Sequence, residues 1–149
     1  MSNEARNVRL SIADEIDTQL GSITLHWPGT EFDSDGVAEW ITAELPDFTP
    51  QATRLSERHE FWTVSFNCYA RTGPGGKSIH RVYELADLVL GAFDQVTLEV
   101  LDWDSEEDPK PTLFYLRFAE GAITPIQPPP EAGSYLMQMN VTFEAALIG

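Results

Sequence analysis

The sequence predicts an α+β fold, with a mostly antiparallel sheet packed on one face by two helices. Three observations lead there. Two stretches, Asn3 to Leu20 and Ser78 to Phe93, repeat apolar residues with the 3.6-residue period of an amphipathic helix. Two others, His59 to Ala70 and Tyr135 to Ala145, alternate apolar and polar residues as half-buried strands do. The order of helix, several strands, helix and several more strands is that of an α+β domain and not of a doubly wound parallel sheet.

Each element has its own warrant. In the first helix Val8, Ile12, Ile16 and Leu20 recur at i+4 steps with charges between them, and Gly21 ends the run. Ile23 to Trp27 reads as a short strand stopped by Pro28 and Gly29, and Asp33 to Gly36 has turn composition. Val37 to Leu45 is the next strand, and Pro46 and Pro50 break the stretch after it. Between His59 and Ala70, Trp62, Val64, Phe66 and Cys68 share one face while Thr63, Ser65 and Asn67 share the other. A glycine-rich loop, Gly73 to Gly76, then leads to the second helix, where Ser78 is placed to act as N-cap. Val96 to Trp103 and Thr112 to Phe118 form a hairpin across a long acidic loop. Pro125, Pro128, Pro129 and Pro130 make Gly121 to Gly133 an exposed, extended arm, because proline removes backbone donors. Tyr135 to Ala145 closes the sheet.

The second helix carries more apolar residues than one small core absorbs. Ile79, Val82, Tyr83, Ala86, Val89, Leu90 and Phe93 form the core-facing stripe, whereas Leu85, Leu88 and Ala92 fall on a different arc. A second apolar arc on a soluble helix points to a subunit contact.

Composition bounds the function. A chain of 149 residues with 42% hydrophobic content makes a single domain, 1–149, with one core. The formal net charge of −15 disfavours binding to nucleic-acid phosphates or to anionic membrane surfaces, both of which require clustered Lys and Arg. A lone cysteine, Cys68, excludes an intrachain disulfide and reads as a small buried residue. No hydrophobic N-terminal stretch suggests a signal peptide, so the expected compartment is the cytosol of the cell that makes the chain.

Motifs that suggest an enzyme fail in detail. Arg71 to Ser78 reads Arg-Thr-Gly-Pro-Gly-Gly-Lys-Ser, close to the phosphate-binding loop G-x-x-x-x-G-K-[ST]. Arg71 replaces its first glycine, and Pro74 removes an amide from the cradle. Asp102, Asp104, Glu106 and Asp108 alternate like a calcium loop, but Glu107 stands where glycine is needed and Leu113 where a bidentate acid is needed. His26, His59 and His80 have no metal-ligand spacing, and no G-x-S-x-G turn is present. No cofactor, metal or catalytic residue is assigned.

The order of elements resembles that of the tail terminator, or tail completion, proteins of long-tailed bacteriophages. The matching segments are His26-Trp27-Pro28-Gly29-Thr30-Glu31-Phe32, the Ala38 to Leu45 strand, the His59 to Ala70 strand, the Ser78 to Asp94 helix and the Tyr135 to Ala145 strand. They span most of the chain from Leu25 onward; the Asp104 to Asp108 loop and the proline arm have no match.

The resemblance implies a structural virion protein at the tail and neck. It would form a ring, usually of six subunits, that caps the tail tube, ends its polymerisation and meets the head-tail connector. Its partners would be its own copies, the tail tube protein and the connector or neck protein, with DNA passing through without specific binding and no membrane involved. Leu85, Leu88 and Ala92 would supply one ring contact, and Trp27 with Phe32 the complementary one. The alternatives are another neck or head-closure subunit, an acidic DNA mimic that inhibits a host protein, and a nucleotide hydrolase built on Lys77 and Ser78.

Overall fold

The computed structural model describes residues 4–27, 32, 37–52, 58–72, 76–77, 80–126 and 136–148. Its elements are α1 (Glu4–Leu20), β1 (Leu25–His26), β2 (Glu39–Ala52), β3 (Arg58–Arg71), α2 (Arg81–Phe93), β4 (Thr97–Leu101), β5 (Thr112–Phe118), β6 (Ala122–Ile126) and β7 (Leu136–Ile148). Seven strands make one sheet in the order β1-β2-β3-β7-β5-β4, with β6 also paired to β7. β1 runs parallel to β2, and every other pair is antiparallel. The predicted fold class is the observed one.

Alternation in the sequence decides which face is covered. On β3 the even residues Trp62, Val64, Phe66, Cys68 and Ala70 are buried, and on β7 the odd residues Met139, Val141, Phe143 and Ala145 join them. α1 covers this face with Val8, Ile12, Ile16 and Leu20, the four residues its i+4 spacing singles out. α2 lies beside it and drives Phe93 among Phe66, Phe118 and Phe143, with ring centroids 5.2–6.0 Å away. Each such ring contributes about 1.5–3 kcal/mol by leaving water, which makes this cluster the centre of the core.

Three element boundaries differ from expectation. Pro46 and Pro50 do not stop β2, which runs on to Ala52 opposite Arg58. The register shifts between Glu44 and Asp47, so Pro46 occupies an irregularity, where a missing N–H is tolerated. The first part of the expected arm is strand β6, paired to β7 from Ala122↔Thr142 to Ile126↔Gln138. It comes after β5 along the same edge of β7, and an outer strand accommodates Pro125. α2 starts at Arg81, with His80 at the N-cap position and no side-chain cap bond. Ser78, the expected cap, lies outside the described residues, as do the 33–36 turn, residues 73–75 of the glycine-rich loop and the 127–135 part of the arm.

Gly121 joins β5 to β6 at a close approach. A Cβ there would come within 2.6 Å of both Leu90 Cδ2 and Phe143 Cε1, and its N–H donates to Asp94 Oδ1 at 2.6 Å. A larger residue at 121 would have to displace the buried Phe143 ring and the end of the Leu90 side chain.

Candidate subunit-contact surfaces

Of the pair that suggested nucleotide hydrolysis, Lys77 is engaged within its own domain and Ser78 lies outside the described residues. Lys77 is turned onto Glu39, 3.7 Å away, and its N–H closes the loop on the Arg71 carbonyl at 2.6 Å. Arg81 donates to both Glu39 carboxylate oxygens at 2.7 and 2.9 Å. These hydrogen bonds hold the Glu39 carboxyl below its ordinary value, against the opposing effect of burial. Burial alone pushes the Cys68 thiol up to about 12, which keeps it protonated and unreactive.

The acidic loop is braced by α1. Ser11 Oγ accepts from the Leu101 N–H and the Trp103 indole N–H, both at 3.0 Å. Asn7 Oδ1 accepts from the Trp103 N–H at 3.1 Å, and Arg6 pairs with Asp104 at 2.8 Å. Asn7 and Ser11 are buried polar residues that sequence reasoning missed. The available signal was an i, i+4 pair of small polar residues adjoining the apolar stripe of Val8 and Ile12. Among the described residues no group of three or more His, Cys, Asp or Glu is gathered for a metal. No helix among them is long and apolar enough to cross a membrane.

Among the described residues, large apolar side chains stay exposed on β6, at Ile123 and Ile126, and in two further places. On α2, Val82, Leu85, Ala86, Val89 and Phe93 are buried, while Tyr83 and Leu88 are 49% and 46% exposed. At ~100° per residue, Tyr83 and Leu88 flank an exposed arc of about 140° that holds Asp87, Gly91 and Glu84. Nothing lies within 4 Å of the position a Gly91 Cβ would take. Gly91 lies in the last turn of α2, which ends at Phe93.

The second place is the face of the sheet turned away from the helices. Its centre is a ladder of neutral polar groups on β3 and β7. Asn140 Nδ2 donates to Ser65 Oγ and Asn67 Oδ1 at 2.8 and 3.1 Å, and Ser65 and Thr142 hydroxyls lie 3.1 Å apart. At one end the character changes. Leu113, Tyr115 and Ile148 are 40–48% exposed, with Tyr115 directly opposite Ile148 in the β5–β7 register. Arg117, on the same face two residues from Tyr115, donates to Thr97 Oγ1 at 3.1 Å.

The residues expected at a ring contact do not lie together. Leu85 is a correction: it is fully buried in the domain's own core and leaves no surface for a neighbour. The apolar excess of α2 left its rotation ambiguous, and packing resolved it by burying Leu85 and turning Tyr83 outward, where its hydroxyl reaches water. Leu88 is exposed, and Ala92 is partly buried against the core. Trp27 also packs partly against the core. Phe32 stacks on His26 at 4.8 Å and meets Trp40 at 5.7 Å, which engages it within its own domain.

No protein-family model matches the chain, and no curated protein is similar to it. Solved structures share its fold. A chain from the virion of a native gene transfer agent particle superposes with a TM-score of 0.57 over 95% of both chains, at 9% identity. A second solved structure superposes with a TM-score of 0.54 over 97% of this chain and 92% of its own, at 14% identity.

Proposed function

We propose that this protein is a structural subunit of a phage-like virion and, more narrowly, a tail terminator. In this reading copies of the chain form a ring, usually a hexamer, that caps the completed tail tube, ends its polymerisation and presents a surface to the head connector. The observation that carries it is the fold, shared over nearly the full length of both chains with a component of a gene transfer agent virion. The element order that resembles tail terminators supports the narrower role. So does exposed apolar surface on two sides of the domain, one on α2 and one on the far face of the sheet, as a heterologous ring contact requires.

The role needs no catalytic group; its task is to bind tail tube, connector and identical neighbours in the neck of the particle. The test is the mass of the purified protein by light scattering across a range of concentrations, with negative-stain images of the same samples and of samples mixed with tail tubes. Rings that sit on tube ends are the expected result. A monomer at every concentration with no affinity for tubes overturns the proposal.

A further inference from the structure

We infer that the open edge of β4 takes a basic, extended segment of another protein as an added strand, held by main-chain hydrogen bonds and by the carboxylates of Asp14, Glu15 and Glu99. The inference goes beyond the ring reading and stands whether or not copies of the chain form a ring.

β4 is the last strand of the sheet, with β5 on one side and no strand on the other. Its pairing decides which main-chain groups face outward. The Phe118 N–H donates to the Val96 carbonyl at 2.8 Å, and the antiparallel register sets Leu98 opposite Leu116 and Val100 opposite Phe114. These alternate residues bond to β5, so Thr97 and Glu99 turn their N–H and C=O groups away from it. Leu101 follows the same alternation, and Ser11 Oγ of α1 takes its outward N–H at 3.0 Å. α1 therefore closes the edge at Leu101. Towards Thr97 a trough of about 240 Å³ lies between helix and strand, bordered by Ser11, Asp14 and Glu15 on α1 and by Thr97 and Glu99 on β4. Main-chain donors and acceptors left open along an edge are what an added strand binds.

Charge selects the occupant. Glu99 is exposed and shares the open face of the sheet with Tyr115, directly opposite it on β5, whereas Asp14 and Glu15 rise from the helix on the other side. An added strand sends alternate side chains to the two faces, so it meets a carboxylate on either one. Among the described residues none of the three acids has an ion-pair partner. Glu15 accepts from the Gln19 amide and Glu99 from the Thr112 hydroxyl, both neutral. Arg117 stands one strand in from the edge, on β5, where it donates to Thr97 Oγ1 at 3.1 Å. Three carboxylates against one guanidinium favour Lys and Arg in the occupant, and they turn away the edges of this chain itself, which carries −15.

The probe is a short fluorescein-labelled peptide of alternating Lys and Val, titrated by anisotropy at ~150 mM salt, where long-range attraction is screened. Two peptides of matched length separate charge from strand addition: one with Glu in place of Lys, and one that keeps Lys but has an N-methylated main chain and so lacks its donors. The Lys and Val peptide is expected to bind and to slow hydrogen exchange at the Thr97 and Glu99 amides by about tenfold or more. The N-methylated peptide is expected to bind about tenfold more weakly and the Glu peptide not at all. Asp14→Asn combined with Glu15→Gln is expected to keep the melting temperature of the parent and to lose about tenfold in affinity for the Lys and Val peptide. Equal binding of the N-methylated peptide means that charge alone attracts it and overturns the inference. Unchanged exchange at Thr97 and Glu99, full affinity in the double variant, or no binding of the Lys and Val peptide overturns it as well. Protection of the two amides that rises with protein concentration in the absence of peptide makes a second copy the occupant and also overturns it.

Discussion

Glu39 shows how a single side chain ties the start of α2 to the sheet and makes the fold sensitive to acid. Arg81 holds both its oxygens, and those hydrogen bonds lower the carboxyl's affinity for protons relative to the ordinary value of 4.5. A carboxyl lowered on folding adds stability that is fully present above that value and is lost as pH falls through the folded one. Glu39→Gln should therefore lower stability at about pH 6.5 yet lose less of it than the parent on going to about pH 3, as urea titrations at the two pH values would read. An identical acid response in the two proteins would contradict this. Legibility is uneven at this scale. Cys68 is recognisable in the sequence as a buried structural thiol because its neighbours Trp62, Val64 and Phe66 share its strand face. The Glu39–Arg81 pair is invisible there, since 42 positions separate its members and only the strand order brings them together.

At the scale of elements, α2 decides between two kinds of leucine. Leu85 is fully buried and Leu88 is exposed, although the sequence places both outside the main stripe. Leu85→Ala should destabilise the domain by about 2–5 kcal/mol through lost contacts and a residual cavity. Leu88→Glu should change monomer stability by no more than about 0.5 kcal/mol, as surface substitutions do, and should abolish the proposed ring. Chemical denaturation of each variant, alongside its mass by light scattering, checks the contrast. α1, β3 and β7 are legible to within a few residues because their apolar periods are regular and single-faced. β2 outruns its sequence signal at Pro46, where a shift in register absorbs the missing donor. β6 hides behind its proline content, which disfavours a paired strand, yet its place beside β7 on an outer edge tolerates Pro125.

For the whole molecule the governing quantities are charge and the placement of exposed surface. With −15 on each copy, the proposed ring would repel polyanions, so no binding to duplex DNA is expected even at low salt. Gel-shift or fluorescence titration in low-salt buffer checks this; tight binding that weakens steeply with added salt would contradict it. The neutral ladder of Ser65, Asn67, Gln138, Asn140 and Thr142 is hydrogen-bonded among its members and, through the Asn67 amide, to Glu44, and it presents no cationic groups to phosphates. Of the surface first expected to join subunits, Leu88 remains exposed, while Phe32 is engaged with His26 and Trp40. The patch of Leu113, Tyr115 and Ile148 has no sequence signal, because its members come from β5 and β7, which β6 separates along the chain, and they meet only through the β5–β7 register.

By itself the sequence determined the fold class, the buried faces of α1, β3 and β7, and the absence of a complete catalytic motif. These depend on local period and composition, which need no knowledge of what lies across the sheet. Tertiary structure alone decided how far α2 rotates, where β6 lies and which apolar side chains stay in water. Those outcomes depend on long-range packing: a helix with apolar residues around much of its circumference can bury only the arc that its neighbouring strands leave room for.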